Sequence, residues 1–216
     1  MKNDIPSVND FKSYLEIEDS HIRNRKIQGD LIDLRKYGSL EDFLPCEDIL
    51  VQLLLNYPSN LPVELTLPQV VRTLAAFGSL KAKPILHKMM RYKQPYELRA
   101  VVISSYCRGY EGGTKNKRLL ERLFGYVTNI KLHPEVRAAS AGAMLYIYYS
   151  WNNGEMTRQQ HSLAAYLTNY GGKYVENRIP WHEMKNILEG VGSSCYEEFI
   201  LTDYWQSIKV YENNMV

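Results

Sequence analysis

Apolar residues recur every three or four positions along most of the chain, and this is the spacing of an amphipathic α-helix. Glycines and prolines interrupt the pattern repeatedly, so we expect short helices joined by turns. No segment alternates apolar and polar residues convincingly, and we therefore expect no β-sheet. The pattern predicts a short first helix around Phe11, Tyr14 and Leu15, which Ser7 or Asn9 could open. Further helices are predicted at about residues 22–37, 46–57, 68–78, 82–92, 95–109, 115–130, 134–151, 157–169, 180–190 and 195–212.

Capping and turn residues mark where these helices begin and end. Gly38 is a typical helix stop, and Ser39 is placed to cap the helix that follows. The proline-rich segment 58–68 is expected to be a linking loop. Thr114 is expected to cap a helix after the Gly112-Gly113 turn. Capping boxes are predicted at 157–160 and 194–197.

One short phrase occurs three times: a proline, then an aliphatic residue and an arginine three or four positions later. The copies are LPQVVRTLA (67–75), QPYELRAVV (94–102) and HPEVRAAS (133–140). Alignment on Arg72, Arg99 and Arg137 places small or aliphatic residues at i, i+4 and i+7, which share one helical face. These columns are Val71, Leu98 and Val136; Ala75, Val102 and Ser140; and Gly78, Ser105 and Ala143. We interpret the arginines as structural residues that bond to a neighbouring helix end or acid.

A second amphipathic helix is expected after each phrase, so the repeated unit is a helix pair. The apolar stripes of these second helices are Ile85, Met89 and Tyr92; Leu119, Leu123 and Val127; and Leu163, Leu167 and Tyr170. The segment ILEGVGSSCYEEFI (187–200) also echoes TLAAFGSLKAKPIL (73–86), which suggests a degenerate fourth pair. Since one such pair cannot bury its own apolar stripes, stacked copies are expected.

Pro-x-x-Val-Arg-x-x-Ala at 68–75 resembles the first-helix signature of HEAT repeats, and residues 95–102 and 134–141 match it loosely. This resemblance implies an all-α fold, a short right-handed superhelix of antiparallel helix pairs of the HEAT/armadillo type. It implies one α-helical domain over 1–216, with an N-terminal helical cap over 1–66 and three to four pairs over 67–216. The arginines are 27 and 38 residues apart, against about 40–47 in typical arrays.

Composition places the chain among globular proteins: 45% of its 216 residues are hydrophobic, which is enough for a substantial core. The start, MKNDIPSVND, contains no apolar stretch suited to a signal peptide. No window approaches the roughly 18 apolar residues of a membrane span. We therefore expect a cytoplasmic protein that does not contact a membrane.

The sequence offers little metal chemistry. Cys46, Cys107 and Cys195 are far apart and lack metal-ligand spacing, so we interpret them as buried free thiols. His182-Glu183 begins a zincin-like pattern, but Asn186 stands where the second histidine is needed. Histidines near predicted helix starts could in principle converge, although such residues usually are solvated or cap the helix; they are His133, His161 and His182.

Motifs for catalysis are equally scarce. Residues 111–115, EGGTK, are faintly similar to a phosphate loop but lack the preceding strand and the Walker spacing. No serine lies in a nucleophile elbow, and no cysteine has a recognisable catalytic signature. We expect a protein that is not an enzyme and uses no cofactor.

The net charge of +2 conceals a segregated distribution. Residues 67–138 carry 14 Lys and Arg but only 4 Asp and Glu, whereas residues 1–66 and 139–216 are both acidic. Helical spacing could align two basic groups into one binding stripe, or both could be solvated helix faces. The first group, expected on one helix, is Lys81, Lys83, Lys88, Arg91 and Lys93; the second is Lys115, Lys117, Arg118 and Arg122.

Tyrosine is abundant, with 17 residues. Four aromatic residues crowd one predicted helix at positions 146, 148, 149 and 151, so they must point in several directions. Some belong to the core, and others could be exposed anchors for a partner, because tyrosine offers a large contact area and a hydroxyl. Our candidate partner-binding aromatics are Tyr146, Tyr149 and Trp151.

A short chain of this kind, poor in motifs, mixed in charge and rich in tyrosine, resembles by type the immunity proteins of bacterial contact-dependent growth inhibition and other polymorphic toxin systems. The resemblance implies a non-catalytic protein-binding module that neutralises a cognate toxin, typically a nuclease, by occluding its active site. The alternative is a nucleic-acid-binding HEAT-like protein, such as a DNA glycosylase, that uses the basic middle third. The acidic flanks argue against the alternative.

Overall fold

The computed structural model describes residues 5–56, 66–91, 94–153 and 179–213, and every regular element in these ranges is helical. The predicted all-α class is therefore confirmed, whereas the HEAT-like superhelix stays a prediction. The elements are α1 (Val8–Leu15), α2 (Ser20–Tyr37), α3 (Leu40–Phe43), a 3₁₀ turn (Leu44–Cys46), α4 (Glu47–Leu55), α5 (Thr66–Ala76), α6 (Ala82–Arg91), α7 (Tyr96–Tyr110), α8 (Lys117–Thr128), α9 (Pro134–Asn153), α10 (Trp181–Gly190), α11 (Cys195–Ile200) and α12 (Asp203–Asn213).

Most predicted helices lie within two or three residues of their observed positions, but the one over 195–212 is wrong. The chain leaves the helix after Ile200 and begins α12 at Asp203. The Thr202 hydroxyl donates to Phe199 O (2.7 Å) and accepts the Trp205 N–H (3.2 Å). One threonine thus bonds to the end of α11 and caps α12. The helix predicted at 157–169, with the capping box at 157–160, lies outside the described residues.

The chain divides into two compact units, residues 1–110 and 111–216. In the first unit, α5 packs against four other helices: α2, α4, α6 and α7. In the second unit, α8, α9 and α10 pack against one another, and α11 contacts both α10 and α12. The single domain and the N-terminal cap over 1–66 remain predictions.

The repeated phrase lies at the start of α5, α7 and α9, as predicted. Pro134 is the first residue of α9, Pro95 directly precedes α7, and Pro68 is in the first turn of α5. The first column of the alignment, Val71, Leu98 and Val136, is buried in all three copies. The second and third columns are also buried, except at Gly78, where α5 has already ended and the backbone is left-handed (φ 67°).

The arginines of the second and third copies make equivalent contacts. Arg99 Nε donates to Met90 O in the last turn of α6 (3.1 Å), and Arg137 Nε donates to Val127 O in the last turn of α8 (2.8 Å). The interpretation as structural residues is confirmed for these two. Arg72 differs, because its side chain is exposed and Arg35 donates to Gln69 O and Thr73 Oγ1 of α5.

The predicted buried stripe of α6 is wrong by one position. Ile85 and Met89 are only half-buried, whereas Ala82, Leu86 and Met90 are fully buried. The contacts at both ends of α6 explain the shift: Ser79 Oγ accepts the Ala82 N–H, and Met90 O accepts the bond from Arg99. The stripe of α8 is confirmed, since Leu119, Leu123 and Val127 are all buried.

Two predicted caps are corrected. Asn116 caps α8 through its side chain, whereas the Thr114 hydroxyl bonds within the preceding turn to Glu111. Ser194 makes no capping bond to α11 through its side chain; the Cys195 N–H donates instead to Ser193 Oγ. The prediction of buried free thiols is confirmed for Cys46 and Cys107. It is corrected for Cys195, whose free thiol group belongs to a half-buried residue.

Candidate functional site

The first basic group is centred on α6. Lys83, Lys88 and Arg91 belong to the helix, Lys81 lies in the turn before it, and Lys93 lies outside the described residues. The expectation of one helix for the whole group is thus corrected at Lys81. Lys88 and Arg91 are both exposed and, being three residues apart, are neighbours on the surface of α6.

Lys81 and Lys83 have identified intramolecular partners within their own unit. The Lys81 ammonium lies 2.7 Å from Asp48 Oδ1 and 3.3 Å from Glu47 Oε2, and these hydrogen bonds raise its pKa. The Lys83 ammonium lies 5.5 Å from the centroid of the Tyr110 ring, a cation–π distance. These contacts connect the turn before α6 with α4, and α6 with α7.

The second basic group is centred on α8 and is engaged in a similar way. Lys117 Nζ donates to Gly192 O (2.6 Å) and lies 3.9 Å from Glu121. Arg118 is exposed and Arg122 is half-buried; four residues apart, they share one face of α8. Because α6 and α8 belong to different compact units, each group is described within its own unit, and the continuous stripe stays a prediction.

Two predicted site residues come together in the second unit. Lys115, in the turn before α8, places its ammonium 5.4 Å from the centroid of the Trp151 ring at the end of α9. Tyr148 packs edge-on against the same indole, with 5.4 Å between ring centroids. The indole is thus a contact point between a predicted cationic group and the predicted aromatic group.

The aromatic residues of α9 are neither fully buried nor fully exposed. Tyr146, Tyr148, Tyr149 and Trp151 are all half-buried. Partial burial raises the pKa of Tyr149, with smaller contributions from the charge of Glu183 and from Tyr148. This intermediate exposure leaves both alternatives, core and partner contact, open for each ring.

A junction in the first unit was not anticipated from the sequence. The turn after α5 packs against the end of α3 and the start of α4, with Phe43 and Phe77 stacked in parallel at 4.6 Å between centroids. Ser79 Oγ donates to Glu47 Oε1 (2.6 Å), and Lys81 binds Glu47 and Asp48 from the same turn. A ring stack, a buried hydrogen bond and an ion pair therefore fix the two segments side by side.

Three leucines on these two segments are exposed to solvent. Leu40 and Leu44, four residues apart around α3, are 54% and 55% exposed, and Leu80 in the turn after α5 is 80% exposed. We call Leu40, Leu44 and Leu80 the leucine edge. Single exposed leucines are ordinary, but several on adjoining segments are a feature of interaction surfaces. The only sequence signal was two leucines at helical spacing in a segment rich in acids.

The described residues were compared with the patterns of a metal-ligand cluster and of a membrane-spanning helix. Within them, no three His, Cys, Asp or Glu side chains are grouped as metal ligands. No described helix is both long enough and apolar enough to span a bilayer. Comparison with known protein families, with curated proteins and with solved structures gave no match.

Proposed function

We propose that the protein is a non-catalytic protein-binding module, and most concretely an immunity protein that neutralises a cognate bacterial toxin by covering its active site. The leucine edge is the observation that supports this proposal best. Its three residues, Leu40, Leu44 and Leu80, expose large apolar side chains on segments that are fixed to each other. The free energy falls when another protein covers such a surface, because apolar side chains are removed from water.

The contacts of the basic groups support a protein partner over nucleic acid. Lys81 is bound to two carboxylates, Lys117 is bound to a backbone carbonyl, and Lys115 lies over an indole. Binding to nucleic acid depends on cations that can neutralise phosphates. With Lys83, which lies over the Tyr110 ring, at least four of the nine candidate cations have structural partners that a phosphate would have to replace.

Occlusion requires no catalytic group in the inhibitor. The inhibitor must bury enough surface, about 800 Å² on each partner for a typical stable complex, to exclude substrate from the toxin. A rigid array of helices presents such a surface with little loss of conformational entropy on binding. The proposed mechanism therefore needs shape, apolar contact and matching charge.

Co-expression with the product of the adjacent upstream gene tests the proposal. We expect that product to arrest growth when expressed alone, and we expect this chain to restore growth and to co-purify with it as a stable complex. An active-site variant of the toxin is the control, because it should bind equally well without toxicity. A non-toxic upstream product that does not bind would overturn the immunity proposal.

Nucleic-acid binding, with or without glycosylase activity, is the alternative, and the pairs on α6 and α8 are the observation that favours it. Lys88 and Arg91 are exposed neighbours on α6, and exposed Arg118 neighbours half-buried Arg122 on α8. Binding to a random DNA duplex across a salt series distinguishes the two functions. Micromolar binding that weakens steeply with salt would favour nucleic acid; no binding at low salt would eliminate it.

A further inference from the structure

We propose that the leucine edge, together with Glu41 and Asp48, is the docking surface of the protein, and that its occupant is a basic amphipathic segment of a partner protein. This inference deepens the proposed function, since it specifies the surface and the chemistry of the partner. It differs from the sequence-based site, which consists of cations and tyrosines.

The apolar component of this surface is preorganised. Ser79 and Lys81 flank Leu80 and are both bonded to α4, while Phe43, directly before Leu44, is buried and stacked on Phe77. The backbone on both sides of the edge is therefore fixed before a partner arrives. Binding to such a surface avoids the cost of ordering a loop.

The charged component determines the kind of partner. Residues 39–48 and 77–81 carry four carboxylates, Glu41, Asp42, Glu47 and Asp48, and one ammonium, Lys81. Asp42 accepts bonds from Ser39, which lower the pKa of its carboxyl group, and Glu47 is buried. Glu41 and Asp48 are exposed, and since Lys81 binds both Asp48 and Glu47, these two segments keep a net negative charge.

An acidic rim around an apolar edge fits a partner that presents lysine or arginine around an apolar side chain. The same rim repels phosphates, so this surface is unsuited to nucleic acid. Nucleases need cationic surfaces for their own substrate, and an inhibitor with this edge would cover such a surface directly.

A defined probe tests the surface without any knowledge of the natural partner. The full chain, labelled at leucine methyl groups, is titrated with a synthetic amphipathic helix of leucine and lysine, and methyl signals are followed by NMR. We expect the signals of Leu40, Leu44 and Leu80 to shift together, while those of Leu15 and Leu55 stay in place. A matched peptide of leucine and glutamate should produce much smaller shifts.

Variants decide whether the leucines and the rim cause the binding. Leu80→Asp should weaken the binding of the cationic peptide about tenfold, which corresponds to about 1.4 kcal/mol of binding free energy. Leu201→Asp is the matched control, because Leu201 is 82% exposed in the other unit and should not affect binding. Glu41→Lys should weaken the binding of the cationic peptide and strengthen the binding of the acidic peptide. Circular dichroism and thermal unfolding verify that each variant is folded.

Three results would overturn the inference. The first is a cationic peptide that shifts the methyl signals of all exposed leucines equally, or that leaves the signals of the leucine edge unchanged. The second is a natural toxin complex that Leu80→Asp leaves intact, in which case the immunity proposal stands and the assignment of the surface fails. The third is self-association of the chain alone, measured by sedimentation and lost in Leu80→Asp, because the occupant would then be a second copy. If the upstream product does not bind at all, the immunity proposal fails, and the peptide titration still decides the surface.

Discussion

The Ser79 hydroxyl donates a 2.6 Å hydrogen bond to the Glu47 carboxylate, and this contact has a counterpart in the second unit, where Ser193 donates to Glu121 at 2.7 Å. Each serine follows a left-handed glycine, Gly78 or Gly192, both with φ of 67°. Each turn also bonds back to the helix before it, through Ser79 N to Leu74 O and Ser193 N to Leu188 O. The echo between the two sequence segments thus corresponds to a shared helix-ending turn.

Replacement of these serines by alanine should destabilise the protein unequally. Glu47 is 10% exposed and Glu121 is 35% exposed, so the loss of the hydroxyl removes a hydrogen bond from a more deeply buried carboxylate at the first site, where Lys81 remains as the partner of Glu47. We expect Ser79→Ala to lower the free energy of unfolding by about 1–3 kcal/mol and Ser193→Ala by roughly 0.5–1.5 kcal/mol. Urea unfolding followed by circular dichroism measures both; equal losses would contradict the role of carboxylate burial.

Helices α5 and α7 approach so closely at Gly109 that a side chain cannot be accommodated. A Cβ atom at this position would lie 2.2 Å from Ala75 O and 2.9 Å from Ala75 C, both backbone atoms. Gly109→Ala should therefore force the helices apart and cost about 1–3 kcal/mol or more. Gly125→Ala in α8 is the control, since a Cβ atom there would meet nothing within 4 Å, and it should stabilise the helix by about 0.5–1 kcal/mol. Thermal unfolding of the two variants should shift in opposite directions.

The positions of most helices could be predicted because their apolar spacing and capping residues are local properties. Ser7 and Ser39 form capping boxes with Asp10 and Asp42, and Gly38 ends α2. The buried face of α6 could not be predicted, because two adjacent apolar rows compete and it is the row that begins at Ala82 that tertiary packing buries. The break at Thr202 contains neither glycine nor proline, so the sequence pattern continued through it.

The candidate site was less accessible to sequence reasoning than the fold. The basic groups are evident from the composition, but Lys81 binds Asp48, 33 residues away in the chain, and Lys117 binds the carbonyl of Gly192, 75 residues away. The leucine edge depends on the tertiary packing of the turn that carries Leu80 against α3 and α4, and no local pattern distinguishes exposed Leu44 from buried Phe43. Exposure and charge pairing are tertiary properties, and a single sequence does not specify them.

Replacement of the three arginines of the repeated phrase by lysine should lower the free energy of unfolding by graded amounts. Arg137 is 3% exposed, donates to Val127 O and Tyr204 Oη, and lies 5.7 Å from the Tyr204 ring centroid. Lysine keeps the charge but lacks the planar fork needed for both bonds. We expect Arg137→Lys to cost about 1.5–3 kcal/mol, half-buried Arg99→Lys about 0.5–1.5 kcal/mol, and exposed Arg72→Lys less than about 0.5 kcal/mol. Any other order in urea unfolding would rule out burial of the guanidinium as the cause.

Burial of the Cys46 thiol should make stability depend on alkaline pH. Desolvation, with smaller contributions from the charges of Asp10 and Asp42, raises the pKa of Cys46 from 9.0 to about 11. The unfolded chain loses this proton at lower pH than the folded chain does, so the free energy of unfolding should fall as the pH rises from about 9 to about 11. Cys46→Ala removes this contribution, and its stability should decline less over the same interval in urea titrations. Parallel pH profiles for wild type and variant would refute the thiol as the source.

In the native protein near neutral pH, iodoacetamide should label half-buried Cys195 before Cys46.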